Sequence, residues 1–391
     1  MRRVGVACPG DPNHPTTWSG TPSGVIEGLS DAGATPIAIN VEPHPLVRKL
    51  AVAVVALAYL RPSRDFRSAM FASREAARAS RPVTALQSIT ARRRLRQAGH
   101  LDGLIQIGTG FELLTQVPIV TLEDMTVRQT RTHPYSGWDL LSQKTFNVRV
   151  ERQRRAYETA VACCVMSRWA AESVVTDYGI DPQKVHVVGV GRNHQTVCSG
   201  GRDWKTPRFL FVGLDWERKN GVGVLRAFSR LRAEVPTATL DLVGGHPALN
   251  EPGVRTHGVL RLDVSKEREH LSQLFAESTC FVMPSISEAV GIAYVEAAAN
   301  GLPSIGTSQG GSDFLIGDGG LIVDPTDDEA LYTAMRRLAD PETAAEMGSA
   351  ALRRSEMFTW EAVARRLLRA VEGKPAELPL VGPIGSADEN A

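Results

Sequence analysis

Two glutamates and one pair of adjacent cations are the residues best placed by type and spacing to do chemistry. Glu288 stands in the turn Ser285–Ala289, and Glu296 follows eight positions later inside the Ala-rich run Gly291–Asn300. One precedes the start of a short helix and the other lies within it, so the pair is expected to serve different ends of one ligand. Gly291 lets a ligand approach the backbone, and unpaired N–H groups at a helix N-terminus attract phosphate. Glu288 would then meet a group beyond the phosphates and Glu296 a group on the nucleoside side. Arg218 and Lys219, in the loop Leu214–Asn220, also stand just before a helix start. Two cations beside free N–H groups make a diphosphate clamp. The plain alternatives are a solvated glutamate with an ordinary helical one, and an exposed basic turn.

These residues need strands and helices behind them. Thr279–Met283 is a short apolar run stopped by Pro284, which suits a buried parallel strand. Gly301 and Pro303 end the helix that begins near Gly291. Arg208–Gly213 reads as a strand, Gly221–Val235 as an amphipathic helix, and Ala238–Gly244 and Val259–Asp263 as further strands. Helices are expected at Lys266–Ala276, Asp327–Ala339, Pro341–Glu356 and Trp360–Val371. Ser308–Ser312 (SQGGS) is a Gly-rich loop after the strand that follows the Glu296 helix.

The N-terminal half repeats the strand–loop–helix pattern. Val4–Ala7 leads through a long Gly/Pro loop into a helix at Ser23–Ala32, a doubly wound opening whose loop falls at a strand's carboxyl end. No GxGxxG or Walker A pattern occurs, which weakens nicotinamide and P-loop readings. Thr35–Asn40 is a strand, and Pro43–Leu60 an apolar helix expected to face the core rather than anchor in a membrane. Ten Arg against Asp65 and Glu75 fill the stretch Arg61–Arg96, a solvated basic surface with membrane contact as the less favoured reading. Leu101–Ile107 and Pro118–Leu122 are strands, and the second ends in Glu123 and Asp124, a carboxylate pair able to accept hydrogen bonds from sugar hydroxyls. Capping of a following helix by Asp124 has comparable weight. His133 and Tyr135 lie in the next loop and are weaker acceptor-side candidates. Gln143–Thr159 is a long polar helix, followed by Ala160–Met166 (strand), Ser167–Tyr178 (helix with a Ser cap) and Lys184–Val190 (strand). Four Gly within Gly189–Gly201 suit a linker.

Length and composition agree with this organisation. A chain of 391 residues with 43% hydrophobic residues can build two α/β cores. A net charge of +1 gives no global reason to expect nucleic acid. The five cysteines, Cys8, Cys163, Cys164, Cys198 and Cys280, show no CxxC spacing and read as reduced, mostly buried thiols. Met1-Arg2-Arg3 runs directly into a strand without a signal-peptide core, and the longest apolar run, Leu50–Leu60, is too short to span a bilayer. A cytoplasmic enzyme is expected. From Gly373 onward, Pro, Gly and acidic residues point to a disordered tail.

Pro284-Ser285 before the two glutamates and Asn300-Gly301-Leu302-Pro303 after them, with Phe211-Val212-Gly213, the Arg218-Lys219 pair and Leu225–Phe228 upstream, resemble the retaining GT-B glycosyltransferases of family 4, the glycosyl transferases group 1. Ser167-Arg168-Trp169, Asp177–Asp181 and Lys184–His194 resemble the end of that family's N-terminal domain. The resemblance implies a GT-B α/β fold of two Rossmann-like, doubly wound parallel-sheet domains facing a central cleft. Residues 1–195 would bind the acceptor, 196–358 the nucleotide sugar, 359–372 would form a helix crossing back to the first domain, and 373–391 the tail. It implies a metal-independent transfer, with retention of configuration, from a UDP- or GDP-sugar to a hydroxyl of a small-molecule, glycan or lipid-linked acceptor, with no cofactor beyond that co-substrate.

By the same resemblance Glu288 binds hydroxyls of the donor sugar and acts in catalysis with Arg218 and Lys219, while Glu296 holds the ribose. Gly20, Ser287, Val290, Gly291, Ile292, Gly310 and Gly311 complete the donor set, and Thr21, Glu123 and Asp124 the acceptor set. Leu260–Ser265 would face the base. Many relatives carry His where Glu123 stands, so that histidine's role has no counterpart here. Asp215-x-Glu217 mimics the metal-binding acidic motif of GT-A enzymes, a reading that the adjacent Arg218 and Lys219 oppose. A GT-B-fold sugar-nucleotide epimerase and a silent sugar-nucleotide-binding protein are the alternatives.

Overall fold

The structure, a computed structural model, describes residues 2–60, 66–133, 138–193 and 201–380. Tyr135, Cys198, part of the basic stretch and the chain beyond 380 lie outside the described residues. The chain divides into two compact units, one formed by Met1–Gly189 with Trp360–Ala391 and the other by Val190–Thr359.

The first unit holds a six-stranded, all-parallel sheet of β1 (Arg3–Cys8), β2 (Thr35–Asn40), β3 (Gly103–Ile107), β4 (Ile119–Glu123), β5 (Ala162–Val165) and β6 (Val185–Val187), in the order β2-β1-β3-β4-β5-β6. Its central strands are continuous apolar runs because helices cover both faces. Those helices are α1 (Thr21–Asp31), α2 (Pro45–Leu57), α3 (Phe66–Ala79), α4 (Arg81–Ala98), α5 (Gln143–Thr159) and α6 (Arg168–Thr176). Ser167 caps α6 by accepting from Ala170 N.

The second unit holds another all-parallel sheet, β7 (Arg208–Gly213), β8 (Thr239–Gly244), β9 (Val254–Gly258), β10 (Cys280–Val282), β11 (Ser304–Thr307) and β12 (Gly320–Val323), in the order β12-β11-β10-β7-β8-β9. Its helices are α7 (Gly221–Glu234), α8 (Ser265–Glu277), α9 (Ile292–Ala299), α10 (Ser312–Ile316), α11 (Asp328–Leu338) and α12 (Pro341–Ser355). Between β7 and β10 the order in which strands are added reverses, and ligands of open α/β sheets bind outside the carboxyl ends of the strands at such a point.

The last helix, α13 (Trp360–Val371), belongs to the first unit. It lies so close to α1 that a Cβ on Gly28 would fall 2.0 Å from the Trp360 carbonyl oxygen and one on Gly24 would strike the Trp360 ring. Arg366 of α13 donates to Val188 O at 3.1 Å.

Three expectations need correction. The strand placed at Val259–Asp263 is instead β9 at Val254–Gly258, an edge strand whose exposed Arg255 and Thr256 hide it from a hydrophobicity reading. Helix α2 does not face the core as a whole. Only Val52 and Ala56 are buried, against Ala77 and Val83, because α3 and α4 cover one side of a helix that is apolar on both. The chain after Gly373 is docked as far as residue 380: Leu378 is buried, pairs with Val187, and follows Glu377, which meets Arg366 at 3.0 Å. Short elements α10 and β12 carry too few residues for a period to show.

The four described cysteines are free and buried, and burial pushes the Cys8 and Cys163 thiols up to about 12. Among the described residues no helix is long and apolar enough to cross a membrane.

Candidate functional site

Three loops meet at the carboxyl ends of β7, β10 and β11. The loop after β7 delivers Arg218 and Lys219; the loop after β10 delivers Ser285, Ser287 and Glu288. They are sewn together by a backbone bond from Ile286 N to Arg218 O at 2.8 Å and by Arg218 Nη1 donating to Ser287 O at 2.9 Å. The third loop brackets Glu288: its N–H donates to Gln309 O at 3.1 Å, and its carbonyl accepts from Gly311 N at 3.2 Å. Gly310 sits at φ 114°, and a Cβ there would fall 1.7 Å from Glu288 O. Only glycine fits that close approach.

Side chains converge on the Glu288 carboxylate. Lys219 Nζ donates to its Oε2, Ser285 Oγ reaches the same oxygen at 3.2 Å, and Arg218 Nη1 lies 3.8 Å away. All are at least half-buried, and burial pulls the Lys219 ammonium below its usual value while the Glu288 charge pulls it back up. The Ser287 hydroxyl is buried without a partner, an acceptor and donor held ready beside two cations.

Gly291 opens α9 in the left-handed region at φ 84°, with no side-chain cap on the helix. Its N–H groups are therefore available at the turn that carries Glu288. Val290 is buried and Ile292 half-buried at this turn, and Glu296 is buried on α9 itself. Asn220, also left-handed at φ 59°, caps α7 by accepting from Gly223 N at 3.2 Å and donates to Pro325 O at 2.8 Å. Asp215, half-exposed, is engaged by Arg218. Its Oδ1 accepts from Arg218 N at 3.1 Å and its Oδ2 lies 3.4 Å from Arg218 Nε.

A residue outside the sequence reading holds this arrangement from behind. The Arg202 guanidinium donates to the carbonyls of Phe275 and Ala276 at the end of α8 and of Asn300 and Gly301 after α9, at 2.7–3.3 Å. Burial pushes it down to about 10. A lone arginine just after the predicted linker gave no signal for this role.

The carboxyl ends of the first unit's strands are built differently. Gly20, at φ 84°, and Thr21 are buried at the start of α1, and the loop before them carries Trp18 and Ser19 in left-handed conformations. Trp18 lies over the end of β3, where a Cβ on Gly108 would come within 2.8 Å of its ring.

Glu123 faces inward rather than toward an acceptor, which corrects that expectation. It accepts from Thr109 N at 2.8 Å, Thr109 Oγ1 at 2.6 Å, Gln153 Nε2 and Tyr157 OH, all within the unit. Burial pushes its carboxyl up to about 7 despite these donors. Asp124, next to it, is half-buried, and no helix starts beside it to be capped: the next helical turn is Gln129–Arg131, with Arg128 before it. His133 packs edge-on to Trp169 with ring centroids 4.7 Å apart. Gln153 and Tyr157 sit on α5, thirty or more residues from Glu123, and nothing local in the sequence points to them.

Comparison with known proteins bears on this geometry. Residues 206–340 match the model of the family described as Glycosyl transferases group 1. An MMP α-(1→4)-mannosyltransferase of Mycolicibacterium hassiacum is 26% identical over 69% of this chain and 67% of its own length. A GDP-mannose-dependent α-(1-6)-phosphatidylinositol monomannoside mannosyltransferase of Mycolicibacterium smegmatis is 33% identical over 40% of this chain and 45% of its own. The matched stretch thus spans less than half the length of that second relative. Among solved structures, a sucrose-phosphate synthase from Thermosynechococcus elongatus superposes with a TM-score of 0.60 at 18% identity, covering 95% of this chain and 98% of that one. Fold and sequence point the same way: the chain has a GT-B fold and resembles the family 4 glycosyltransferases, and its residues 206–340 match the glycosyl transferases group 1.

Proposed function

We propose that the chain is a retaining, metal-independent glycosyltransferase that moves a sugar from a nucleotide-diphosphate donor to an acceptor hydroxyl. The observation that carries this reading is the meeting of Arg218 and Lys219 with Glu288 at the switch point of β7 and β10. Two cations and the uncapped N-terminus of α9 would hold the diphosphate and take up its negative charge as it leaves, which is electrostatic catalysis without a metal. Glu288 would accept hydrogen bonds from sugar hydroxyls, and Glu296 from the ribose. Ser287, Val290, Ile292, Gly310 and Gly311 would line the donor; on the first unit Gly20 is a further donor-side candidate, and Thr21 and Asp124 are acceptor-side candidates. No protein nucleophile enters this scheme: the acceptor attacks from the face that the diphosphate leaves. Because two relatives are named mannosyltransferases, one of them GDP-mannose-dependent, GDP-mannose is the first donor to test, with UDP-sugars beside it. The reaction's place on this reading is the cytoplasm.

The test is a thermal-shift series with GDP- and UDP-sugars, followed by product analysis with EDTA present. A bound donor at 100 times its dissociation constant adds about 2.7 kcal/mol of stability. The expected product keeps the donor's anomeric configuration. Stabilisation by none of the sugar nucleotides overturns the reading; an altered free sugar nucleotide in the absence of any acceptor replaces it with epimerisation.

A further inference from the structure

The outward side of α2 is an apolar stripe on which nothing packs among the described residues. Leu46, Leu50, Val54 and Leu57 recur at three- and four-residue spacing and are 71%, 66%, 60% and 70% exposed, with Val47 beside them. The opposite side of the helix, Val52 and Ala56, is already occupied by Ala77 of α3 and Val83 of α4. On α3, Phe71 is 58% exposed and shares one face with Arg74 and Arg78, at the same spacing. Solvent-facing apolar residues scattered singly need no explanation, whereas a stripe running the length of a helix does.

Charge decides what covers it. Residues 45–98 hold twelve Lys and Arg against Asp65 and Glu75, a net +10 in a chain whose total is +1. A second copy of the chain would bring two such regions together, so self-association through this face is electrostatically opposed. At 13 residues α2 is about 20 Å long, too short to span a bilayer and suited to lie in its interface.

We propose that the outer faces of α2 and α3 dock on an anionic lipid bilayer, the α2 stripe entering the headgroup boundary while the surrounding arginines meet the lipid charge. This takes up membrane contact, the less favoured reading of the basic stretch from sequence alone, and it does not rest on the proposed transfer reaction.

The experiment is co-sedimentation of the full chain with vesicles of phosphatidylcholine alone or mixed with phosphatidylglycerol, at low and high salt. Binding is expected to be at least about tenfold stronger to the mixed vesicles, to fall with salt, and to be lost in the double variant Leu50→Glu, Val54→Glu. Both positions are solvent-facing, and an unchanged melting temperature checks that the variant folds. As a second reading, Leu50→Cys in a Cys198→Ser background, with the other cysteines buried, carries an environment-sensitive fluorophore whose emission should shift to the blue on vesicle addition. Absence of binding to phosphatidylglycerol vesicles overturns the proposal. So does binding untouched by the double glutamate variant, an unshifted label, or a vesicle-independent dimer that the same variant abolishes.

Discussion

Both units end a central parallel strand near a buried glutamate, yet the two carboxylates live in different company. Glu288 is met by Lys219 and Arg218 from a neighbouring loop, charges that an incoming anion can recruit. Glu123 is met by a hydroxyl, a phenol, a carboxamide and an N–H, neutral donors rooted in the core. Position at a strand's carboxyl end is therefore not enough to identify a ligand contact. The partners differ: cations from a neighbouring loop are charges that a ligand could share, whereas neutral core donors make the carboxylate a brace.

Replacing Lys219 with Met should break the comparison most severely. If its ammonium supports the leaving diphosphate, kcat/KM falls about 100- to 1000-fold, or about 2.7–4 kcal/mol. Near-normal turnover would reduce the loop to a structural salt bridge.

Glu123→Gln is the matching change in the first unit. One oxygen becomes an N–H₂ group facing donors, so unfolding should become easier by about 1–3 kcal/mol, while nucleoside diphosphate affinity stays within error. A normal melting temperature with a raised acceptor KM would return Glu123 to the acceptor site.

The same residue carries a pH signature of comparable or smaller size. Its folded carboxyl is raised to about 7, so the fold prefers it protonated. That contribution is complete below the unfolded value near 4.5 and is lost as pH rises from there through about 7. Denaturant titrations of the wild-type chain should show this decline, and Glu123→Gln should lack it; parallel curves for the two proteins would refute the assignment.

Smaller still is the difference between the two glutamates of the second unit. Glu296→Gln should weaken nucleoside diphosphate binding by about 1 kcal/mol, the net worth of a typical hydrogen bond. Glu288→Gln should act mainly on kcat, since a sugar contact strengthens as the glycosidic bond breaks. Calorimetry with the nucleoside diphosphate separates them, and equal losses of affinity would mean that both act as supports of the turn. Asp215→Ala, which removes only a half-exposed partner of Arg218, should cost less than about 1 kcal/mol in kcat/KM; loss of activity in EDTA, restored by manganese, would instead mark Asp215 and Glu217 as metal ligands.

How much of this was legible depends on whether a feature is local. Strand β7 and helices α5 and α13 announce themselves through apolar runs and helical periods. Arg218, Lys219 and Glu288 were recognisable by type and by their place before helix starts, although 69 residues separate the lysine from the glutamate it meets. The alternating sheet order brings them together. What stayed hidden were pairings across the chain: Glu123 with α5, Arg202 with two helix ends, and the side of α2 that its neighbours leave bare. Each depends on which face a distant element covers, and no local pattern encodes that.

Arg202 has a practical meaning for anyone wishing to cut the molecule. The stretch matched by the family begins at residue 206, four positions after it. A fragment trimmed to that boundary would keep the donor-side candidates of the second unit and still lose the guanidinium that ties off the ends of α8 and α9. It would also lose Trp204, which lies under Arg202 at 5.0 Å and packs where a Cβ on Gly348 would come within 2.9 Å. An excised second unit should therefore start no later than residue 201, or the ends of α8 and α9 will be left loose.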